Sequence, residues 1–152
     1  MSVFTALRAS ASGLTAQRLR MDLITNNIAN AETTRTPEGG AYRRQQVLFS
    51  PRMVGRIPFF NQLRGDAVRG NPPGVQMEGV QPVAIVEDQS PTRMVYDPTH
   101  PDANPDGFVE YPNVNTVTEM TDMLSATRSY EANVTVLNAA KAMAQRAIDI
   151  AR

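Results

Sequence analysis

Cysteine and tryptophan are both absent from this sequence of 152 residues. Without cysteine the chain has no disulfide, no thiol nucleophile and no thiolate ligand for zinc. Net charge is also missing, because 15 basic residues balance 15 acidic ones. A chain with zero net charge has no overall attraction to nucleic acid or to an anionic membrane. Aromatic residues make up only 6% of the chain, which indicates a modest hydrophobic core.

Long hydrophobic runs are absent as well. No run approaches the roughly 20 residues that a membrane-spanning helix needs. The segment from Met1 to Arg8 contains no uninterrupted apolar stretch, so we expect no cleaved secretory signal. With 41% hydrophobic and 20% charged residues, the chain still has the composition of a folded protein and the length of one ordinary domain.

The distribution of proline divides the chain into three parts. All 11 prolines lie between Pro37 and Pro112, and so do eight of the nine glycines, with Gly13 as the exception. Because proline costs about 3 kcal/mol inside a helix, only the two ends can form long helices. The predicted fold class is therefore mainly α with a small β-rich insert. The predicted parts are an N-terminal helix within 1–32, a β-containing insert with long loops over 33–115, and a C-terminal helix within 116–152.

The N-terminal part has a seven-residue apolar repeat. A helix from about Val3 to Asn30 would bring the repeat onto one face. Such a row is typical of a coiled-coil-like contact between two helices. The asparagines at 26–30 suit a helix end, because asparagine tolerates the left-handed conformation of a C-terminal cap. The residues of the repeat are Leu7, Leu14, Met21 and Ile28, and Ile24 lies beside them on the same face.

The C-terminal part has two apolar rows rather than one. We predict a helix from about Thr118 to Ile150, with Thr118 as the N-cap and Asp122 in the first turn. The two terminal helices are predicted to pack as a coiled-coil-like pair. Two rows are too wide for one partner, so the C-terminal helix is expected to have neighbours on two sides. The first row includes Met123, Tyr130, Val134, Leu137, Ala144 and Ile148, and the second is Val136, Ala140, Met143, Ala147 and Ile150.

The insert contains short β-rich segments separated by prolines. A tight turn is predicted at Asn104–Gly107, where Asn-Pro-Asp-Gly has the residue types that such turns favour. The segment Val54–Pro73 has no periodicity and is expected to be a long exposed loop. The predicted strands are Tyr42–Phe49, Val75–Gln81, Val83–Glu87 and Arg93–Tyr96.

Charge is segregated along the insert. Six arginines lie within 43–69 with only one acidic residue, and seven acids lie within 78–110 with only one basic residue. A nucleic-acid patch is one interpretation, but the zero net charge and the single lysine argue against it. We expect the two segments to pair with each other, either within one chain or between chains. The arginines are Arg43, Arg44, Arg52, Arg56, Arg64 and Arg69.

One acidic loop is the only part of the sequence that resembles a metal site. His100, the single histidine, lies among Asp97, Asp102 and Asp106. The prolines of this loop favour a rigid turn instead, since aspartate beside proline is ordinary turn chemistry. Paired acids such as Asp102 and Glu110 could act on a sugar, but no catalytic motif accompanies them. We expect no catalytic residue, metal, cofactor, nucleic acid or small-molecule substrate.

Sequence motifs at both ends of the chain occur together in a known family. The N-terminal part contains Gly13-Leu-Thr-Ala-Gln17, Met21-Asp22, Asn26-Asn-Ile-Ala-Asn30 and Thr33-Thr-Arg-Thr36. The C-terminal part contains Ser129-Tyr-Glu-Ala-Asn133 and Leu137-Asn-Ala-Ala-Lys141. In this order the motifs resemble those of the bacterial flagellar axial proteins, which form the rod, the hook and the hook-associated structures. The insert segments 34–43 and 94–115 resemble the short rod proteins of the C type, so the resemblance covers nearly the whole chain.

The resemblance implies a structural role, as a subunit of the proximal rod of the flagellar basal body, which crosses the periplasm. Identical subunits would polymerise into a helical drive shaft that transmits torque from the motor to the hook and surrounds the export channel. The terminal helices would form its inner tube. Implied partners are the chain itself, other flagellar rod proteins, the MS-ring with its rod adaptor protein, and the flagellar type III export apparatus. The alternatives are an envelope enzyme acting on peptidoglycan and a helical adaptor of the export machinery.

A subunit interface is predicted from the helix patterns and the resemblance together. By resemblance, Asn26, Asn27 and Asn30 would be junction residues, whose hydrogen bonds set the register of an otherwise apolar contact. The apolar members come from the helix rows described above. They are Leu7, Leu14, Met21, Ile24, Ile28, Met123, Tyr130, Val134, Val136, Leu137, Met143, Ala144 and Ile148.

Overall fold

The computed structural model describes residues 3–37, 39–54 and 76–150. Within these ranges two long terminal helices flank two β-hairpins, which confirms a mainly α fold with a small β-rich insert. Neither of these helices is long and apolar enough to cross a membrane. The predicted loop lies outside the described residues from position 55 onwards, and so do Arg56, Arg64 and Arg69. The elements are α1 Val3–Ala29, β1 Gln45–Val54, β2 Gln76–Glu87, β3 Arg93–Tyr96, β4 Phe108–Tyr111 and α2 Thr116–Ile150.

Helix α1 ends one residue before the predicted boundary, within the asparagine-rich segment. The Asn30 amide group donates to the Asn26 carbonyl at 2.9 Å, and its backbone N–H donates to the same carbonyl at 3.0 Å. The Thr33 hydroxyl donates to Asn30 Oδ1 at 3.2 Å. No residue other than glycine has a positive φ in the part of the chain that the structure describes, so the expected left-handed cap is wrong. Side-chain hydrogen bonds close this helix end instead.

Helix α2 begins at Thr116, two residues before the predicted start. Its N-cap is Asn115 rather than Thr118, because Asn115 Oδ1 accepts the backbone N–H groups of Val117 and Thr118 at 3.0 and 3.3 Å. Asparagine is among the strongest N-cap residues, which explains the earlier start. The acidic residue of the first turn is Glu119, not Asp122.

The two helices pack side by side and run antiparallel. The Thr127 hydroxyl contacts Met21 Sδ at 3.7 Å, and the Asn27 amide donates to Glu119 Oε2 at 3.1 Å. Residues later in α1 therefore contact residues earlier in α2, as expected for antiparallel helices. Three of the five buried apolar residues of the two helices are alanines. The buried apolar residues of the two helices are Ala16, Leu23, Ile24, Ala126 and Ala140.

The first hairpin pairs β1 with β2 in antiparallel register, from Gln45 opposite Glu87 to Val54 opposite Gln76. Strand β1 begins three residues later than predicted, and β2 continues through Pro82, where two separate strands were expected. Pro82 lies opposite Phe49 at a register irregularity. Proline is tolerated there because each strand of a two-stranded sheet is an edge strand, where a missing N–H need not interrupt pairing.

The second hairpin pairs β3 with β4, again antiparallel. The bounds of β3 are those predicted, whereas β4 was not predicted. The predicted turn at Asn104–Gly107 is confirmed, since the Gly107 N–H donates to the Asn104 carbonyl at 2.8 Å and Gly107 has a φ of 79°. Val109 is completely buried in this hairpin, and Tyr96 packs edge-on against Phe108 at 5.3 Å between ring centroids.

The first hairpin docks on α1 at Gly79. The Val80 N–H donates to Ser12 Oγ at 3.0 Å, while the Ser12 hydroxyl donates to the Ala9 carbonyl at 2.8 Å. Next to this contact, Arg8 forms an ion pair with Glu78 at 3.3 Å. A Cβ at Gly79 would collide with Ser12 Oγ. The missing side chain therefore lets the strand backbone reach the helix.

Replacing Gly79 tests this docking contact. Gly79→Ala is expected to lower the free energy of unfolding by more than Gly40→Ala, although both glycines have positive φ values of 86° and 80°. The φ strain alone costs about 1–2 kcal/mol. Only Gly79 also faces a neighbouring side chain, because no atom lies within 4 Å of a Cβ at Gly40. Urea denaturation of the two variants measures the difference, and equal losses would contradict the docking role of Gly79.

Candidate functional site

The side chain of Asn27, near the end of α1, is at the centre of a buried polar cluster. Asn27 is only 1% exposed, yet its amide uses its full hydrogen-bonding capacity. Its Nδ2 donates to the Gln45 carbonyl at 2.9 Å and to Glu119 Oε2 at 3.1 Å. Its Oδ1 accepts the Tyr42 hydroxyl at 3.0 Å and the Gln45 N–H at 2.9 Å. One side chain thus joins α1, the start of β1 and the first turn of α2.

Glu119 is the buried charge of the cluster, also 1% exposed. Arg44 Nε donates to Glu119 Oε1 at 2.6 Å, and an Arg44 Nη atom lies 3.5 Å from Asp122 Oδ2. The guanidinium is itself mostly covered, with 22% of the side chain exposed. Because both carboxylate oxygens of Glu119 have donors, the cost of burying its charge is offset.

A second amide, that of Asn113, fastens the surrounding backbone. Asn113 Oδ1 accepts the Arg44 N–H at 3.0 Å, and its Nδ2 donates to the Asp88 carbonyl at 3.4 Å. The Asp88 N–H in turn donates to the Arg44 carbonyl at 2.8 Å. The segment before α2 is therefore tied to the base of the first hairpin. We call Asn27, Tyr42, Arg44, Asn113 and Glu119 the polar junction.

The electrostatics of the junction act on Tyr42. Burial raises the pKa of the Tyr42 hydroxyl above its ordinary value, and the negative charges of Glu119 and Glu87 raise the pKa further. The neutral hydroxyl is therefore the stable form in the folded chain, in agreement with its role as a donor to Asn27.

A cleft of about 390 Å³ opens beside the junction, between α1 and the first hairpin. Arg44 and Glu119 line this cleft, but both are engaged in the ion pair described above. A carboxylate held between two donors is a structural element rather than a free acid or base. The junction therefore holds three segments of the chain together through hydrogen bonds and an ion pair.

The acidic loop forms hydrogen-bonded turns. His100 Nδ1 accepts the Asp102 N–H at 3.1 Å, and the Thr34 hydroxyl donates to Asp102 Oδ2 at 2.8 Å. The Thr99 hydroxyl and N–H donate to Asp97, and these bonds lower the pKa of that exposed carboxyl below its ordinary value. Among the residues that the structure describes, no group of three or more potential metal ligands is found.

The segregated charges of the insert form ion pairs with other parts of the chain. Arg44 pairs with Glu119 and Asp122 of α2, and Glu78 pairs with Arg8 of α1. In the described ranges, no ion pair joins the arginine-rich segment to the acidic segment. The pairing of the two segments therefore remains a prediction, both between chains and for Arg56, Arg64 and Arg69, which lie outside the described residues.

The predicted interface residues of α1 lie mainly against the rest of the chain. Asn26 is exposed, and Asn30 takes part in the helix end. Ile24 and Asn27 are buried. The partly buried members are Leu7, Leu14, Met21, Ile28 and Asn30.

The predicted interface residues of α2 fall into two groups. Val136, Met143 and Ile148 are 50%, 59% and 65% exposed, which is high for large apolar side chains. These three side chains are more exposed than the other predicted interface residues of α2. The partly buried group is Met123, Tyr130, Val134, Leu137 and Ala144.

Comparison with known proteins gives matches at both ends of the chain. The family "Flagella basal body rod protein" matches residues 7–35, and "Flagellar basal body rod FlgEFG protein C-terminal" matches residues 106–150. The chain is 45% identical to the flagellar basal-body rod protein FlgC of Borreliella burgdorferi, with 99% of this chain and 98% of that protein covered. FlgC of Bacillus subtilis is 43% identical over the full length of both chains. FlgC of Escherichia coli O6:H1 is 36% identical, with 94% of this chain and 93% of that protein covered.

The chain belongs to the flagellar basal-body rod protein FlgC family. It is therefore a structural subunit of the rod of the flagellar basal body, as the resemblance implied. In this FlgC-family chain, the polar junction joins the two matched segments, since Asn27 lies in one and Glu119 in the other. Arg44 and Tyr42 are supplied by the insert between them.

Sequence reasoning found Asn27 but missed its partners. The resemblance pointed to Asn27, whereas Glu119, Arg44, Tyr42 and Asn113 were not predicted to act with it. One local signal was available, because Glu119 is an acid at the start of a row that continues with Met123, Ala126 and Tyr130 (residues at helical spacing). An acid on a helix face that is otherwise apolar indicates a buried partner.

Removing the buried carboxylate tests the junction. Glu119→Ala is expected to lower the free energy of unfolding by about 3–5 kcal/mol, because it leaves the Arg44 charge without its closest partner. The matched control is Glu131→Ala, at an exposed position of the same helix, which should change stability by less than about 0.5 kcal/mol. Urea denaturation followed by circular dichroism measures both. Similar effects of the two changes would exclude a stabilising junction.

Alkaline titration tests Tyr42. Since its folded pKa is raised, the stability linked to this hydroxyl is fully present below the unfolded pKa of about 10 and is lost as pH rises through the folded value. Stability of the unmodified chain should therefore fall more steeply above pH 10 than that of Tyr42→Phe. Tyr96→Phe, at an exposed position, should keep the steeper slope. Equal slopes for the unmodified chain and Tyr42→Phe would show that Tyr42 is not held neutral.

Proposed function

We propose that this rod subunit polymerises, with copies of itself and with other flagellar rod proteins, into the proximal rod of the basal body. The polymer would be a helical drive shaft that transmits torque from the motor to the hook and surrounds the export channel. The observation that carries the proposal is the exposed apolar surface of α2. Membership of the FlgC family supports a place in the rod. The exposed apolar surface of α2 supports assembly through contacts between the helices of neighbouring subunits.

The exposed surface of α2 is more extensive than one partner helix can cover. Its C-terminal half exposes Val136, Met143 and Ile150 at a spacing of seven residues, which places them on one line along the helix. Its N-terminal half exposes Val117 and Leu124 at the same spacing. Helix α1 covers a different face, where Ala126 and Ala140 are buried. Exposed apolar rows of this length are typical of protein contact surfaces.

The geometry of the helices suits a shaft. Helix α2 has 35 residues and is therefore roughly 50 Å long. Long close-packed helices resist bending and twisting, because interiors packed at crystal-like density have little room to rearrange. We infer that α1 and α2 form a coiled-coil-like pair, that such pairs line the inner tube, and that the insert over 33–115 makes the outer and lateral contacts. Identical head-to-tail contacts that do not close on themselves generate a helical tube.

The interface residues have two roles in this proposal. The exposed ones, Asn26, Val136, Met143 and Ile148, would contact neighbouring subunits directly. The partly buried ones, such as Leu14 and Leu137, would hold the helix pair together and present their remaining surface to the next subunit. Asn27 and Asn30 would act by keeping the end of α1 in a fixed shape at the contact.

Further partners belong to the same proposal. A subunit at the base of the rod would contact the MS-ring through its rod adaptor protein, and the flagellar type III export apparatus would deliver it. The role is structural rather than catalytic, because Arg44 and Glu119, which line the cleft beside the junction, are already paired and the relatives are rod proteins. No nucleic acid or small-molecule substrate is part of the mechanism.

A charge placed on the exposed row tests the assembly surface. Met143→Asp should give a folded and exported protein that does not build a rod, because a buried unpaired charge would recur at every subunit contact. Asn138→Asp adds the same charge at an exposed polar position of the same helix and should be tolerated. Both variants are expressed in cells that lack the native subunit, and motility is scored. Circular dichroism of the purified proteins verifies that each retains its helices.

The decisive comparison is between these two variants. Non-motile cells without rods for Met143→Asp, together with motile cells for Asn138→Asp, would support the surface. Normal rods built from Met143→Asp would show that this row does not face a neighbour.

A further inference from the structure

Two contacts made by an asparagine side chain cross the helix pair at the same spacing on both helices. At one of them the Asn133 amide lies over Gly13, so close that a Cβ on Gly13 would be 3.0 Å from Asn133 Nδ2 and 3.3 Å from Asn133 Cγ. At the other, Asn27 donates to Glu119 at 3.1 Å. Gly13 and Asn27 are 14 residues apart on α1, and Glu119 and Asn133 are 14 residues apart on α2. This spacing is two seven-residue repeats.

Apolar packing alone does not select one register for this pair. On α1 apolar residues recur every seven residues, and on α2 the residues Met123, Tyr130, Leu137 and Ala144 do the same. Sliding one helix by seven residues therefore brings apolar residues against apolar residues again. A polar residue at such a contact is the device that distinguishes one register from another, because it is satisfied in only one of them.

The polar contacts are lost when the helices slide. A shift by seven residues in one direction would place Asn27 opposite Ala126, which has no acceptor side chain, and a shift in the other would carry Asn27 beyond the start of α2. A buried amide without a partner is costly. The Asn133 amide would leave the space above Gly13 and lie opposite Arg20 or Ala6, both of which carry a side chain, since Gly13 is the only glycine in α1.

We propose that the Gly13–Asn133 and Asn27–Glu119 contacts together determine the register of the α1–α2 pair. The amide of Asn27 acts through its hydrogen bond, and Gly13 acts by providing space for Asn133. The register also sets how far α2 extends. Since Gly13 lies beside Asn133, the first residue of α1, Val3, lies across from about Met143, and the end of α2 extends beyond it.

The absence of cysteine makes this register directly measurable, since every introduced thiol is a defined reporter. Met21 and Thr127 are in contact, so a Met21→Cys, Thr127→Cys chain reports the native register by oxidative crosslinking. A Met21→Cys, Val134→Cys chain reports a shift of seven residues. Such a shift moves a residue by roughly 10 Å, beyond the span of a disulfide.

The contacts are then removed in each reporter chain. Asn133→Ala should raise the yield of the shifted crosslink about tenfold and lower that of the native one. Adding Asn27→Ala should raise the shifted yield further. Asn138→Ala, the same change at an exposed position of α2, should leave both yields as they are. Helix content by circular dichroism is measured for each chain.

Two results would overturn the proposal. The first is a folded Asn133→Ala, Asn27→Ala chain with the native crosslink at full yield and the shifted one at background. The double variant could lose its helices, because Asn27 belongs to the polar junction. The second result then comes from the single Asn133→Ala variant, since Asn133 lies outside the junction. An unchanged shifted yield in that single variant would then contradict a register role. The experiment uses the isolated chain and does not depend on rod assembly.

Discussion

The four hydrogen bonds of Asn27 are the constraint on which the rest of this structure depends. They join the end of one terminal helix to the base of the insert and to the first turn of the other helix. Because Asn27 is buried, water cannot replace a missing partner, so the bonds form together or leave an unpaired amide. The ion pair of Glu119 with Arg44 extends the same network. Two chain ends that are far apart in sequence are thereby held in one arrangement with the insert.

This arrangement leaves large apolar side chains of α2 exposed. The face of α2 that contains Ala126 and Ala140 is covered by α1, whereas Val136 and Met143 remain exposed. A rigid connection at one end of the helix and an apolar row at the other suit a subunit that transmits force. A twist applied through a neighbour on α2 would reach the insert through the junction instead of bending a loose segment. The polar contacts thus hold the subunit in shape, and the apolar ones are available for assembly.

Much of the fold could be predicted from the sequence, because its signals are local. The proline-free ends and the seven-residue repeats predicted both helices to within two residues at the boundaries that the structure describes. The junction could not be predicted in the same way. Arg44 and Glu119 are 75 residues apart, and Asn27 and Glu119 are 92 apart, so no local pattern links them. Pro82 was misinterpreted as a strand break, since its tolerance depends on the two-stranded sheet around it.

A density map of the intact basal body, at a resolution that shows side chains, tests the central claim most directly. The account predicts that the junction of Asn27, Glu119 and Arg44 is formed within each subunit, and that Val136 and Met143 are buried against a neighbouring subunit. The contradictory result is a rod in which Asn27 and Glu119 separate to bond with different subunits, while Val136 and Met143 face solvent.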